Sequence, residues 1–297
     1  MKKSTARRSA PDGLPALAER SFVVKIGGRP LTDPAVLDTL AADLAELKGA
    51  GVRVVVVHGG GPQLSQMSDR LGLKTQKVNG RRVTDTETLR LAKMVFAGEI
   101  STDIVAALRR HGVAGVGLSG VDGGVIHAVR RAPKRMIDKA TGEETLVDFQ
   151  HVGDIDGVDT RILELLMDNG FIPVVASLAA DQDGQVLNVN ADTVAADIAL
   201  GLQAERLFLM SDVPGVLRDV ADRSSRIAEM TLADARAFVE SGAVGDGMIP
   251  KLDSAIRTIE GGVSAIHMMD GHTAHAILEE VRLPGSHGTF IFAGGVC

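Results

Sequence analysis

Two lysines, one aspartate and a set of glycine-rich stretches carry most of the chemistry that this chain can offer. Lys25 stands near the end of the apolar stretch 22–26 and is followed by Gly27 and Gly28. Lys251 closes a second glycine-rich stretch, Gly245-Asp246-Gly247-Met248-Ile249-Pro250-Lys251, so one such lysine falls in each half of the chain. A cation at the start of a helix opposes the helix dipole, so helix stability alone does not place Lys251 there. In VRVVVVHGGGP, residues 52–62, three successive glycines, Gly59, Gly60 and Gly61, follow His58. Glycines let backbone N–H groups converge without Cβ obstruction, and a helix N-terminus adds positive potential, which together suit an anion or a phosphate. The pattern is neither the Walker loop nor GxGxxG, and the same glycines would serve a plain tight turn. In Leu187-Asn188-Val189-Asn190-Ala191-Asp192, extended alternation places Asn188, Asn190 and Asp192 on one side. Asp192 then meets a helix N-terminus, where a simple cap is the competing reading. The neighbouring Arg81 and Arg82 offer a carboxylate a bidentate partner, or form an exposed surface pair.

This inventory lacks a Ser–His nucleophile elbow, a metal-ligand cluster and a Walker lysine. Phosphoryl transfer needs positioning and positive charge around the phosphoryl group and no covalent nucleophile. A carboxylate acceptor suits the inventory especially well, because it needs no general base.

The elements that must position these residues follow from periodicity. Residues 22–26 and the β-branched run Val54–Val57 read as buried parallel strands. Between them a helix starts at Thr32-Asp33-Pro34, with Val36, Leu37, Leu40, Leu44 and Leu47 as its buried face, and completes a βαβ unit. Pro62 suits the first turn of a helix carrying Leu64, Met67 and Leu71. Thr84 or Asp85 caps a helix with Leu89, Met94 and Val95, and a separate helix carries Ile104, Val105 and Leu108. A strand over 114–118 runs into Ser119-Gly120, and 125–129 is a further strand. Three strands of the first half thus end in glycine-rich turns, and ligands of open α/β sheets sit beyond such carboxyl ends, so three ends are expected to converge on one ligand. Residues 130–150 read as a hairpin or a lid. Later elements are a helix over 159–170, strands at 171–176, 207–210, 265–269 and 288–292, and helices over 193–202, within 224–241, beyond Lys251 and around 275–280. Residues 1–21 read as a tail, or as an assembly segment in which Leu14, Leu17 and Ala18 form a short helix.

With 297 residues, 45% of them hydrophobic, the chain makes one large α/β domain or two joined lobes. No apolar run approaches a membrane span. Residues 1–8 are basic but lack the apolar core of a signal peptide. The single cysteine, Cys297, excludes an internal disulfide framework and a cysteine metal site, which makes the cytoplasm the expected compartment. A net charge of −6 with no massed basic residues, and the absence of Trp and Tyr, disfavour nucleic acid as a partner.

Taken in order, KIGG at 25–28, VVHGGGPQ at 56–63, NGRRVTD at 79–85, GLSGVDG at 117–123, NVNAD at 188–192, SDVPGV at 211–216 and GMIPK at 247–251 resemble acetylglutamate kinases of the amino acid kinase family. The resemblance spans residues 22 to about 290. It implies an open, mainly parallel eight-stranded αβα sandwich. Residues 22–180 would form an N-terminal lobe for the acylated amino acid and 181–297 a C-terminal lobe for ATP, on one continuous sheet, with 1–21 as an N-terminal extension. The implied reaction is transfer of phosphate from ATP to the side-chain carboxylate of N-acetyl-L-glutamate, the second step of arginine biosynthesis. By the same resemblance Lys25 and Lys251 stabilise the transferring phosphoryl group and Asp192 orients both lysines. Gly27, Gly28 and Gly59 line the phosphate, Gly60 and Gly61 reach phosphate and substrate, Arg82 clamps a substrate carboxylate, and Asn188 and Asn190 meet its amino-acid end. Ser211, Asp212, Gly215 and Met248 lie near the nucleotide, and Mg²⁺ is held mainly through the ATP phosphates with no protein ligand. A homodimer or homohexamer is implied, with arginine as a feedback ligand near Arg206, His267 and Glu280.

Three departures qualify the match. Gly98-Glu99-Ile100-Ser101-Thr102 replaces the usual GxVNK, which puts the choice of acyl substrate in question. The segment before the first strand is shorter than in arginine-regulated members. Ser286 and His287 replace the usual glycine and apolar residue before Gly288-Thr289. Two alternatives follow. One is a sister kinase for another N-blocked acidic amino acid, such as an aminoadipate derivative. The other is a catalytically silent arginine-binding subunit, against which both lysines and Asp192 argue.

Overall fold

The computed structural model describes residues 14–137, 142–242 and 248–294. Gly245, Asp246 and Gly247 of the second glycine-rich stretch, Thr141 of the 130–150 segment and Cys297 lie outside the described residues. The central sheet has eight strands: β1 (Ser21–Ile26), β2 (Arg53–His58), β3 (Gly115–Ser119), β4 (Ile172–Ala176), β5 (Arg206–Ser211), β6 (Glu229–Thr231), β7 (Ala265–Asp270) and β8 (Gly288–Phe292). Their order is β6-β8-β7-β5-β1-β2-β4-β3. All neighbours pair in parallel except β7 and β8, so β8 and β6 run against the other six. The halves of the chain meet where β1 pairs with β5, and Lys25 stands between Val57 of β2 and Leu209 of β5.

Alternation along the strands feeds two cores, as the period of two requires. Val24, Ile26, Val54 and Val56 pack under α1 (Pro34–Gly49), α2 (Gly61–Arg70), α3 (Thr86–Ala92), α4 (Ser101–Arg110) and α9 (Ala276–Arg282). Val23, Val55, Val57 and Leu209 face α5 (Arg161–Asp168), α6 (Ala191–Gly201), α7 (Leu232–Glu240) and α8 (Ile249–Glu260). Asp33 caps α1 by accepting from the Ala35 N–H, and Asp85 caps α3 by accepting from the Thr88 N–H at 2.7 Å. The expected N-terminal segment is a 3-10 turn over Leu14–Leu17, whose Leu17 is buried in the first core; residues 1–13 lie outside the described residues.

Two expectations are corrected here. The two separate helices of residues 86–110 form one continuous rod, because a π-helical segment, Lys93–Ile100, joins α3 to α4. That segment breaks the 3.6-residue period, burying Val95, Phe96 and Ile100 while Met94 is exposed. The expected convergence of three glycine-ended strands also fails at the third. β3 is the sheet edge, separated from β2 by β4. Gly120 is accounted for by packing instead, since a Cβ there would lie 2.2 Å from the Leu178 carbonyl oxygen.

Smaller pieces flank the site. Val186–Asn188, Leu178–Ala180, Ile126–Arg130 and Gly153–Val158 form a second sheet. Lys77–Val78 and Arg81–Arg82 make a short hairpin whose turn residues, Asn79 and Gly80, both have positive φ, 48° and 78°. That is the pattern of a type I′ turn, for which Asn-Gly is the preferred pair. Within 130–150, Lys134–Ile137 pairs with Glu144–Val147 as a hairpin.

Candidate active site

The carboxyl ends of β1 and β2, the N-terminus of α2, the Arg81–Arg82 hairpin and the start of α6 enclose a cavity of about 470 Å³. Lys25, Gly27, Gly28, Gly59, Gly60, Gly61, Arg82, Asn188, Asn190 and Asp192 all line it. A second cavity of about 370 Å³ shares Arg82, Asn188, Asn190 and Asp192 and adds Arg131 and Lys251. The two lysines from opposite halves therefore flank one carboxylate.

Lys25 Nζ lies 2.7 Å from Asp192 Oδ1, with the lysine side chain 9% and the aspartate side chain 25% exposed. Burial alone would push the Asp192 carboxyl up, but the ammonium groups of Lys25 and Lys251 outweigh it and hold it below the usual range. Burial lowers Lys251, Asp192 and Asp212 oppose that, and the charge on Lys25 adds to it. The aspartate thus offsets repulsion between two ammonium groups that face the same space.

The backbone explains why Asp192 is available for this. The cap of α6 is Asn190, whose Oδ1 accepts from the Asp192 N–H at 2.7 Å and the Thr193 N–H at 3.4 Å. The competing reading of Asp192 as a simple cap therefore does not hold. The amide takes the helix end and leaves the carboxylate to the lysines. Asn188 donates from Nδ2 to Thr84 Oγ1 at 3.1 Å, which ties the strand before α6 to the segment after the Arg81–Arg82 hairpin.

Two glycines of the cradle lie against side chains that an added Cβ would displace. A Cβ on Gly27 would stand 2.3 Å from Lys25 Nζ, so the lysine folds back over the space that a side chain would fill. A Cβ on Gly60 would stand 2.4 Å from Ile100 Cδ1 and 2.6 Å from Phe96 Cδ1. The π-helical segment therefore packs directly on the glycine loop.

Arg82 reaches back across the hairpin to that loop. Its Nη2 donates to Ser65 Oγ at 2.6 Å and to the Gly61 carbonyl at 3.1 Å. Its Nη1 is buried without a hydrogen-bond partner. The guanidinium is thus anchored through Nη2 and lines both cavities with donor capacity unspent, which suits a carboxylate.

The comparisons with known proteins agree with this chemistry. The sequence model of the Amino acid kinase family matches residues 20–270. The chain belongs to the amino acid kinase family. An acetylglutamate kinase of Sorangium cellulosum is 47% identical over 270 residues, 91% of this chain and 94% of that one. An acetylglutamate kinase of Myxococcus xanthus is 42% identical over 287 residues, 97% and 93% of the respective chains. Among solved structures, an N-acetylglutamate synthase from Neisseria gonorrhoeae, complexed with coenzyme A and N-acetyl-glutamate, superposes with a TM-score of 0.79 at 26% identity. That match covers 95% of this chain and 62% of the synthase. A carbamate kinase of Giardia shares the fold, with a TM-score of 0.65 at 16% identity over 92% of this chain and 98% of the other.

In this amino acid kinase the residues expected near a nucleotide line neither of the two cavities. Asp212 lies behind Gly28, where an added Cβ would come within 2.7 Å of Asp212 Oδ1. Gly215 is explained by close packing, because a Cβ there would stand 2.5 Å from Thr289 Oγ1. Ser211 ends β5, and Met248 precedes α8. Arg206, His267 and Glu280 do come together, in a buried cluster. His267 Nδ1 lies 2.8 Å from Glu280 Oε2, Arg206 donates weakly to the Val281 carbonyl, and His267 stacks on Phe208. The Glu280 carboxylate also accepts from the N–H groups of Gly285, His287 and Gly288.

Sequence reasoning missed Ser65, Ser177 and Phe96, which line the first cavity. The Asn79-Gly80 pair was the one available signal that Arg82 sits on a hairpin. A lone serine within a helix gave no signal at all.

Proposed function

We propose that this kinase phosphorylates the side-chain carboxylate of N-acetyl-L-glutamate at the expense of ATP, forming N-acetyl-L-glutamyl 5-phosphate, the second step of arginine biosynthesis. The observation that carries the reading is the Lys25–Asp192 pair beside Lys251, set against a half-anchored Arg82 in one cleft. Relatives named acetylglutamate kinase, at 40–47% identity over most of the chain, support the substrate.

In this reading the acetylglutamate α-carboxylate meets Arg82, and Asn188 and Asn190 border its amino-acid end. The side-chain carboxylate is ionised at neutral pH, so it attacks the γ-phosphorus without a general base. One P–O bond forms to the carboxylate oxygen, the bond to the ADP oxygen breaks, and ADP leaves. Lys25 and Lys251 offset the negative charge on the transferring group, and the glycine N–H groups of 27–28 and 59–61 hold phosphate oxygens. Asp192 offsets the repulsion between the two ammonium groups and holds them in place. Ser211, Asp212, Gly215 and Met248 border the nucleotide at the carboxyl end of β5. Mg²⁺ would be carried mainly on the ATP phosphates. Residues 22–180 then hold most of the acyl substrate, and 181–297 take the nucleotide while Asn188 and Asn190 reach across to the acyl substrate. Among the described residues no helix is long and apolar enough to cross a membrane.

The proposal extends to a homodimer or hexamer, for which the exposed Met94 on the π-helical segment offers an apolar contact. It extends also to arginine as a ligand at Arg206, His267 and Glu280. Both acceptor oxygens of Glu280 are already engaged, so bound arginine would exchange with the backbone of 285–288. Light scattering with and without arginine tests both extensions. The reaction itself is tested by trapping with hydroxylamine. An acyl phosphate yields a hydroxamate that depends on ATP and N-acetylglutamate together; ADP release with no hydroxamate would refute carboxyl phosphorylation.

A further inference from the structure

The Arg82 guanidinium is tied to the glycine loop by one side chain. Ser65, on the first turns of α2, donates its hydroxyl proton to the Gly61 carbonyl at 3.0 Å. That commits its single donor, so only oxygen lone pairs remain toward the cavity. Arg82 Nη2 donates to one of them at 2.6 Å and to the same Gly61 carbonyl at 3.1 Å. Hydroxyl, carbonyl and guanidinium thus close a ring across 21 residues of chain. Arg82 appears in no ion pair among the described residues, and burial lowers its pKa against the weak opposing pull of Asp69. Its Nη1 points unpaired into buried space.

We propose that Ser65 is a positioning residue that registers the Arg82 clamp to the phosphate cradle and thereby sets the accepted length of the acidic substrate. The inference rests on the reading of Arg82 as the carboxylate clamp. Gly61 belongs to the loop whose neighbours face Lys25, so fixing Arg82 to Gly61 fixes the distance between the two ends of a dicarboxylate. One carboxylate is held at the Arg82 guanidinium while the other must reach the lysines. A substrate longer by one methylene overshoots that spacing as long as the guanidinium cannot swing. With Ser65 reduced to alanine, Nη2 keeps only the longer bond to the Gly61 carbonyl, and the guanidinium gains freedom about its long side chain.

The test compares wild type, Ser65→Ala, Ser65→Thr and Arg82→Ala in steady-state ADP release, with N-acetylglutamate and N-acetylaminoadipate as acceptors. Ser65→Ala should raise KM for N-acetylglutamate about tenfold while kcat stays within about twofold. KM for ATP should stay at the wild-type value. The preference for N-acetylglutamate over the longer acid, as a ratio of kcat/KM, should fall about fivefold. Ser65→Thr should restore both, because its hydroxyl can keep the bond to the residue four back. If Arg82→Ala raises KM and Ser65→Ala does not, the positioning role is wrong and the clamp stands. If Arg82→Ala leaves KM unchanged, the clamp is wrong and the inference falls with it. Parallel losses in kcat, in KM for ATP and in thermal midpoint, unrescued by threonine, would reduce Ser65 to a structural residue and overturn the proposal.

Discussion

Gly27→Ala is the substitution whose effect follows most directly from the geometry. Gly27 is absent from the positive-φ glycines, so the backbone tolerates alanine there. The new Cβ would stand 2.3 Å from Lys25 Nζ and 2.9 Å from Lys25 Cε. Relief to ordinary contact moves the ammonium by about 1 Å, and the move is cheap because the end of a lysine side chain is flexible. The fold should therefore survive while the charge shifts. Moving the Lys25–Asp192 pair from 2.7 Å to about 3.8 Å, at an effective dielectric of about 20, weakens their attraction by about 1–2 kcal/mol. The loss on catalysis is greater, because a misplacement of about 1 Å at the reacting centre costs about 10²-fold. Steady-state ADP release should show kcat down about 10²-fold with KM for N-acetylglutamate nearly unchanged. The thermal midpoint should stay within a few degrees of wild type. An alanine variant with wild-type kcat would refute the argument that Lys25 works from the position it holds over Gly27.

Other outcomes follow from the same geometry. Lys25→Ala and Lys251→Ala should each lower kcat by about 10²–10³-fold with smaller changes in KM, because their charge matters most in the transition state, and steady-state kinetics checks both. Asn190→Ala removes the cap of α6 and should cost about 1 kcal/mol in urea unfolding. It should also lower kcat by loosening the Asp192 backbone. Glu280→Ala strands two buried N–H groups, a part-buried one and His267 and should destabilise by about 3–5 kcal/mol, read as a lower thermal midpoint. Burial would raise the Glu280 carboxyl, but His267 and the loop N–H groups hold it down to about 2. A depressed carboxyl adds stability that is complete above its unfolded value of about 4.3 and is lost as pH falls from there toward about 2. Complete burial keeps His267 below its ordinary value, so acidification below about 6.5 also costs stability. The unfolding free energy of wild type should therefore fall on both steps, and Glu280→Ala should lose the lower one.

Much of this arrangement was legible in the sequence because it rests on local signals. The valine run of β2 and the glycines beyond β1 and β2 mark strand ends without reference to anything distant. The Asp33 cap and Pro34 mark the start of α1 in the same way. The alternation of 188–192 placed three side chains on one cavity, as found. What failed depended on non-local packing. β3 ends in a glycine turn like β1 and β2, but only strand order reveals that it lies at the sheet edge. The π-helical segment follows from Phe96 and Ile100 packing on Gly60, a contact between residues far apart in sequence. Asn190 and Asp192 are both good caps, and which one takes the helix end was decided by the lysines opposite. Ser65 could not be found, because a helical serine has no meaning until Arg82 is folded over it.

The most direct test of the account is ADP release with N-acetylglutamate, glutamate and N-acetylaminoadipate supplied side by side. The account predicts rapid turnover with N-acetylglutamate, much slower turnover with the longer acid and little with unblocked glutamate. Preference for N-acetylaminoadipate would contradict the assigned substrate and direct attention to the Ser101-Thr102 region, and no turnover with any of the three would contradict the assignment of this site as a kinase centre.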